Sequence, residues 1–249
     1  MEYLPCVKRL IGLWMLSLSA TSYAHDLHYF VVENIAAPLQ IVDDENTHSG
    51  IVTDIVTEIA RLAELDLKIT VAPSPRIERL LKEESDVNWI AYDSPSWDSL
   101  PNGIAFEPAV TQVHHSVLHC GAFRDFEELE AYEIAIIKDF RYPGLNKHAS
   151  EFSLELTEVK SYEQGLELVD LERVDGFIEM DLRLSYHVSQ QPDQKCTTLT
   201  YIDDIEPPYA IELKVNQNMP QSRVKKLKRA YQALHESGFI QETIEKYTR

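Results

Sequence analysis

Apolar and polar positions along this chain alternate with two periods, and the period switches every ten to fifteen residues. Residues 27–33 (LHYFVVE) form an apolar, aromatic run of strand length. Pro38, Asp43, Asp44 and Asn46 then supply turn chemistry around a short strand at 39–42. Gly50 opens a helical pattern: Ile51, Ile55, Ile59 and Leu62 recur every three or four residues, with Asp54, Glu58 and Arg61 between them. Residues 67–71 read as a strand, closed by Pro73 and Pro75. Residues 76–83 read as a short helix with Ile77, Leu80 and Leu81 on one face, and 87–92 (VNWIAY) as a buried strand. Strand, helix, strand, helix, strand predicts an α/β layer with mainly parallel strands.

The second half repeats the theme. Residues 113–119 are extended, 126–129 a short helix and 133–137 a strand, and a helix begins after Pro143-Gly144. Residues 154–160 read as a strand and 162–171 as a helix carrying Leu166 and Val169; 174–178 is a buried strand. Glu206-Pro207-Pro208 precedes one more strand at 209–215. Val224, Leu227, Tyr231 and Leu234 then mark a helical face within 222–247, broken at Gly238 and followed by a final short helix.

Composition narrows the function. With 41 acidic and 23 basic residues the formal charge is −18, so an overall field that attracts nucleic acid or anionic lipid is excluded. Lys8 and Arg9 precede an apolar stretch at 10–20, and Ser22-Tyr23-Ala24 places small residues where a signal peptidase reads. This predicts an export signal cleaved after Ala24 and a periplasmic mature chain, because the apolar stretch is short for a membrane span. The remaining cysteines, Cys120 and Cys196, are then either a disulfide or two buried thiols. The cluster Arg223, Lys225, Lys226, Lys228 and Arg229 is either a partner-contact stripe or a solvated helix face.

No nucleophile elbow, zincin helix, phosphate-binding loop or dinucleotide fingerprint occurs, so the reading is of a protein without catalytic residues or cofactors. His114, His115, His119 and Cys120 lie in an extended run that splits them over two faces, so no metal site is expected.

Several pieces of the chain, weak singly, occur in an order that resembles the extracellular solute-binding proteins of family 3, which include polar amino-acid receptors of ABC importers. They are the opening strand with Pro38, Ser49-Gly50-Ile51-Val52 with Asp54-Ile55, Pro73 to Leu81, and Phe106-Glu107-Pro108. Glu127-Glu128-Leu129, Arg173-Val174-Asp175-Gly176-Phe177, and Leu234 to Ile240 with Tyr247 complete them. The resemblance implies a two-lobe periplasmic-binding-protein-like (type II) fold, each lobe a mixed sheet flanked by helices, with two crossing segments as hinge. Lobe one would comprise 25–112 plus 206–249, and lobe two 113–205. It further implies a monomer that captures a small polar solute for an inner-membrane ABC permease by cleft closure. The alternatives are a ligand-sensing or non-transport binding protein acting with a membrane receptor, and a dehydratase or lyase of the same fold.

Candidate ligand-binding residues come from strand ends and turns. Glu33 ends the first strand, where open α/β sheets bind ligands. Arg76 sits at a strand-to-helix turn, where related members often carry Pro-x-x-Arg; it either faces the cleft or lies on the surface. Tyr92 and Trp97 could stack on a ligand, with Asp93 and Ser94 in the same stretch. Family members grip a ligand carboxylate with an Arg here, and residues 93–101 contain none. Arg141 and Tyr142 precede a helix whose N-terminus could dock an anionic group. Glu179 flanks Met180, which falls where the family commonly places an Asp for the ligand amine.

Overall fold

The computed structural model describes residues 27–33, 35–43, 47–83, 87–97, 99–121, 132–138, 140, 142–152 and 154–248. The export signal with its cleavage after Ala24, the predicted helix at 126–129, and Arg141 lie outside the described residues.

The first lobe opens with β1 (Leu27–Val32), a two-strand hairpin of β2 (Ile41–Val42) and β3 (His48–Ser49), and α1 (Ile51–Leu62). Most of the period read from the sequence is the buried face of α1: Ile51, Ile55 and Ile59 are fully buried, each stabilising the fold by about 1.5–3 kcal/mol, whereas Leu62, in the last turn, is 41% exposed. Backbone, not a side chain, caps this helix. Pro38 and Leu39 carbonyls accept the N–H groups of Ile51 and Val52. Gly50 must be glycine there: its φ is 114°, and a Cβ would meet the Leu39 oxygen at 2.8 Å. Next come β4 (Leu67–Ala72), α2 (Ser74–Glu83), β5 (Trp89–Asp93), β6 (Ile104–Ala105) and β7 (Thr111–Val113).

The chain passes to a second sheet at His114. β8 (His115–His119), β9 (Glu133–Ile137), α3 (Pro143–Phe152), β10 (Glu155–Val159), α4 (Tyr162–Asp170), β11 (Gly176–Met180), α5 (Asp181–Ser189) and β12 (Thr198–Tyr201) follow. The helix α5 has no counterpart in the sequence reading. The return after β12 leads to β13 (Tyr209–Val215), α6 (Gln221–Glu236) and α7 (Phe239–Thr248), both helices packing on α1.

Each lobe is therefore a mixed sheet. The first runs β4-β1-β5-β13-β6, with β7 also on β13; β1 is parallel to β4 and β5, and β13 is antiparallel. The second runs β10-β9-β11-β8-β12, with β9 parallel to β10 and β11, and β8 antiparallel. Two segments join them: His114, and the stretch from Ile202 to Pro208. They are tied to each other, since Ile202 N–H donates to the His115 carbonyl and His114 Nδ1 lies 2.8 Å from Asp203. The lobes also touch directly, α5 of the second packing against α7 of the first, with Leu182 against the core of lobe one.

Among the described residues, no helix is long and apolar enough to cross a membrane.

Candidate functional site

Parallel strands present their carboxyl ends at one edge of a sheet, and turns at that edge project side chains outward. In lobe one this edge carries Glu33 after β1, the first turn of α2 after β4, and Tyr92-Asp93-Ser94 at the end of β5. In lobe two it carries Tyr142 after β9, Tyr162 after β10 and Glu179 in β11. Ser161 caps α4 by accepting the Gln164 N–H at 3.2 Å, which sets Tyr162 at the first helical position.

The centre of the junction is a buried carboxylate. Glu179 is 1% exposed; its Oε2 accepts the Tyr142 hydroxyl at 2.9 Å and its Oε1 accepts the Met180 N–H at 2.9 Å. The Arg183 guanidinium, from the first turn of α5, donates Nη1 to the same Oε1 at 3.3 Å. Arg183 is itself 5% exposed. A buried ion pair survives only with further partners. Here Phe140 offers its ring face 4.9 Å from the guanidinium carbon, and the Tyr92 and Tyr162 hydroxyls lie beside it. Burial works against the Arg183 charge, while the tyrosine oxygens around it and the Glu179 carboxylate favour it, so its pKa stands above the ordinary arginine value. Burial raises the pKa of Tyr92, Tyr142, Tyr162 and Tyr209, keeping all four as neutral hydroxyls.

Aromatic rings wall this centre. Trp97 meets Tyr92 and Tyr209 edge to face, at 6.0 and 5.7 Å between ring centres. His115 contacts Tyr142 and Tyr209 at 5.7 and 5.6 Å, and burial lowers its pKa. His187 stacks on Tyr162 at 3.9 Å, and burial lowers it to about 4. Arg183 Nε, His115 Nδ1 and Tyr162 Oη have no hydrogen-bond partner of good geometry among the described residues.

Tyr92, Trp97, Tyr142 and Glu179 thus come together in one place. Asp93 is engaged otherwise: its Oδ2 accepts Lys214 Nζ at 2.9 Å and the Leu100 N–H at 3.0 Å, so it holds the loop behind Trp97. Ser94 is buried and shapes that loop by accepting the Ser96 N–H at 3.2 Å. Glu33 and Arg76 are exposed on the rim of lobe one. The N-terminus of α3, one place where the sequence allows an anionic group to dock, is occupied from within. Glu206, on the second crossing segment, accepts the N–H groups of Gly144 and Leu145 at 2.8 and 3.1 Å. Gly144 permits this approach, because a Cβ there would overlap the Ile205 carbonyl. Cys120 and Cys196 are joined as a disulfide at the far end of β8, Cα atoms 4.3 Å apart. Asp170 beside them accepts the N–H groups of Lys195 and Cys196, so that acidic and sulfur cluster is explained without a metal.

Arg183, Tyr162, Tyr209 and His115 are the members that sequence reasoning missed.

No family model matches the chain. No curated protein matches it either. Solved structures do. The ligand-binding core of GluR0 in complex with L-glutamate superposes with a TM-score of 0.69 at 15% identity, over 92% of this chain and 100% of that one. The arginine-, lysine-, histidine-binding protein ArtJ from Geobacillus stearothermophilus gives 0.66 at 13% identity, over 90% and 94%. The periplasmic VFT2 domain of BvgS from Bordetella pertussis gives 0.66 at 13%, again over 90% and 94%. Likeness at this identity shows the fold: two α/β lobes of the periplasmic-binding-protein type.

Proposed function

We propose that this chain is an exported, non-catalytic solute-binding protein that captures a small polar molecule, an amino acid or a related compound, between its lobes. Residues 1–24 would be removed on export, leaving lobe one at 25–112 plus 206–249 and lobe two at 113–205. The observation that carries the reading is the convergence of Tyr92 and Trp97 from lobe one with Tyr142, Tyr162, Glu179 and Arg183 from lobe two on one buried polar centre. Such a centre lends itself to a two-state device: a guest that touches both walls stabilises the closed form by its differential affinity, and a membrane partner reads that form. The solved structures of like fold include ArtJ, which binds arginine, lysine and histidine, and a GluR0 core that holds L-glutamate. The partner in this reading is an inner-membrane ABC permease.

A second reading is a ligand-sensing protein acting with a membrane receptor. It is favoured by Arg183, which reaches the aromatic wall of lobe one from lobe two and would hold the closed form without help from a guest. The experiment for the main reading is a thermal-shift screen of the mature protein against amino acids, polyamines, small carboxylates and peptidoglycan fragments. One chemical class should raise the melting temperature saturably, with no turnover; a guest at 100 times its Kd adds about 2.7 kcal/mol. A flat response across all classes would reject solute capture.

A further inference from the structure

We infer that the heart of the inter-lobe cleft is a subsite for a guanidinium or similar cation, and that the protein fills it with its own Arg183. The inference rests on the reading of the cleft as the solute site and names the chemistry of that site.

Arg183 stands in the first turn of α5 at the edge of lobe two, yet its head group is not turned to solvent: its side chain is 6% exposed. What surrounds the head group is what a small organic cation needs. Glu179 supplies one carboxylate oxygen at 3.3 Å, Phe140 a ring face at 4.9 Å, and Tyr92 and Tyr162 supply hydroxyl oxygens from the two lobes, with Tyr209 of the returning strand nearby. Glu206, on the second crossing segment, lies close to Tyr209. It raises the Tyr209 pKa by its charge and occupies the α3 amides, where a guest carboxylate could otherwise dock.

The fit of the built-in cation is incomplete. Arg183 Nε and Tyr162 Oη remain without a well-angled partner. A free cation with better geometry can take its place, but it competes with a group tethered at high effective concentration. The tether lowers the apparent affinity of any guest by the fraction of time Arg183 holds the subsite.

Chemical rescue tests this directly. Arg183→Ala removes the occupant, and Arg183→Met keeps the aliphatic stem while removing only the head. Each variant is prepared with and without 10 mM methylguanidinium, with methylurea as a neutral control of the same shape. The expected result is saturable binding of methylguanidinium at least tenfold tighter to a variant than to wild type, no response to methylurea, and higher recovery of folded variant with the cation present. Folded variants that bind methylguanidinium no better than wild type would overturn the inference, as would failure to recover either variant with the cation present. Wild-type response to the solute screen is a separate readout, so loss of the subsite and loss of the solute-capture reading remain distinguishable.

Discussion

The Tyr142 hydroxyl donates to Glu179 Oε2 at 2.9 Å, joining the residue that follows β9 to the carboxyl end of β11. Both side chains are 1% exposed, so the pair lies inside lobe two beneath Arg183. Glu179→Gln keeps the shape and removes the charge. Arg183 would then be a buried cation without a carboxylate, a loss of about 3 kcal/mol. For a chain of this size that is roughly 6–12 °C in melting temperature. A melt within 2 °C of wild type would show that the ion pair contributes little.

Lys214 and Asp93 form a second buried pair among the described residues, at 2.9 Å. Lys214→Met strands the Asp93 carboxylate, whose Oδ1 already lacks a partner. We expect a loss of about 3–5 kcal/mol in urea unfolding, and recovery of more than half of it in the Asp93→Asn/Lys214→Met double variant. Additive losses in the double variant would contradict the pairing.

Stability should fall as the solution is acidified from neutrality. His187 titrates at about 4 in the folded chain against 6.5 when unfolded, because burial opposes its charge. A depressed folded pKa means that the unfolded chain takes up the proton first. The contribution is therefore complete above pH 6.5 and is lost as pH falls toward 4, by up to about 3 kcal/mol. Burial lowers the pKa of His115 in the same direction. His187→Phe should flatten the unfolding free energy against pH between 6.5 and 4; an unchanged slope would rule His187 out as a source.

The Cys120–Cys196 bridge closes a loop with a sequence separation of 76. A loop of that length constrains the unfolded chain by about 4 kcal/mol in the chain-entropy account. Oxidised mature protein should contain no titratable thiol, and Cys120→Ser/Cys196→Ser should lose stability of that order. Two thiols titrating after denaturation alone would reject the bridge.

Much of this architecture could be read from residue order. Ile51, Ile55 and Ile59 announce α1 because one face of a helix recurs every 3.6 residues, and that face is buried here. Tyr142 and Glu179 were legible because strand ends are where α/β sheets place functional groups. Arg183 was not, and the reason is local. In α5, Leu182, Leu184, Tyr186 and Val188 alternate with Arg183, Ser185 and His187, a period of two that imitates a strand and hides the helix. Tyr162 and Tyr209 look like ordinary core positions along the chain. Their meaning arises only when segments far apart in sequence meet, as Tyr92 and Arg183 do, and no local periodicity reports that.

The account depends on two bodies that move against each other around an occupant. Pulsed EPR between spin labels at Lys82 on α2 and Lys147 on α3, both exposed, measures their separation. Wild type should give a short, narrow distance distribution. Arg183→Ala should give a longer and broader one, returning to the short distance on addition of methylguanidinium or of a solute that raises the melting temperature. One unchanging distribution across all of these samples would contradict the account.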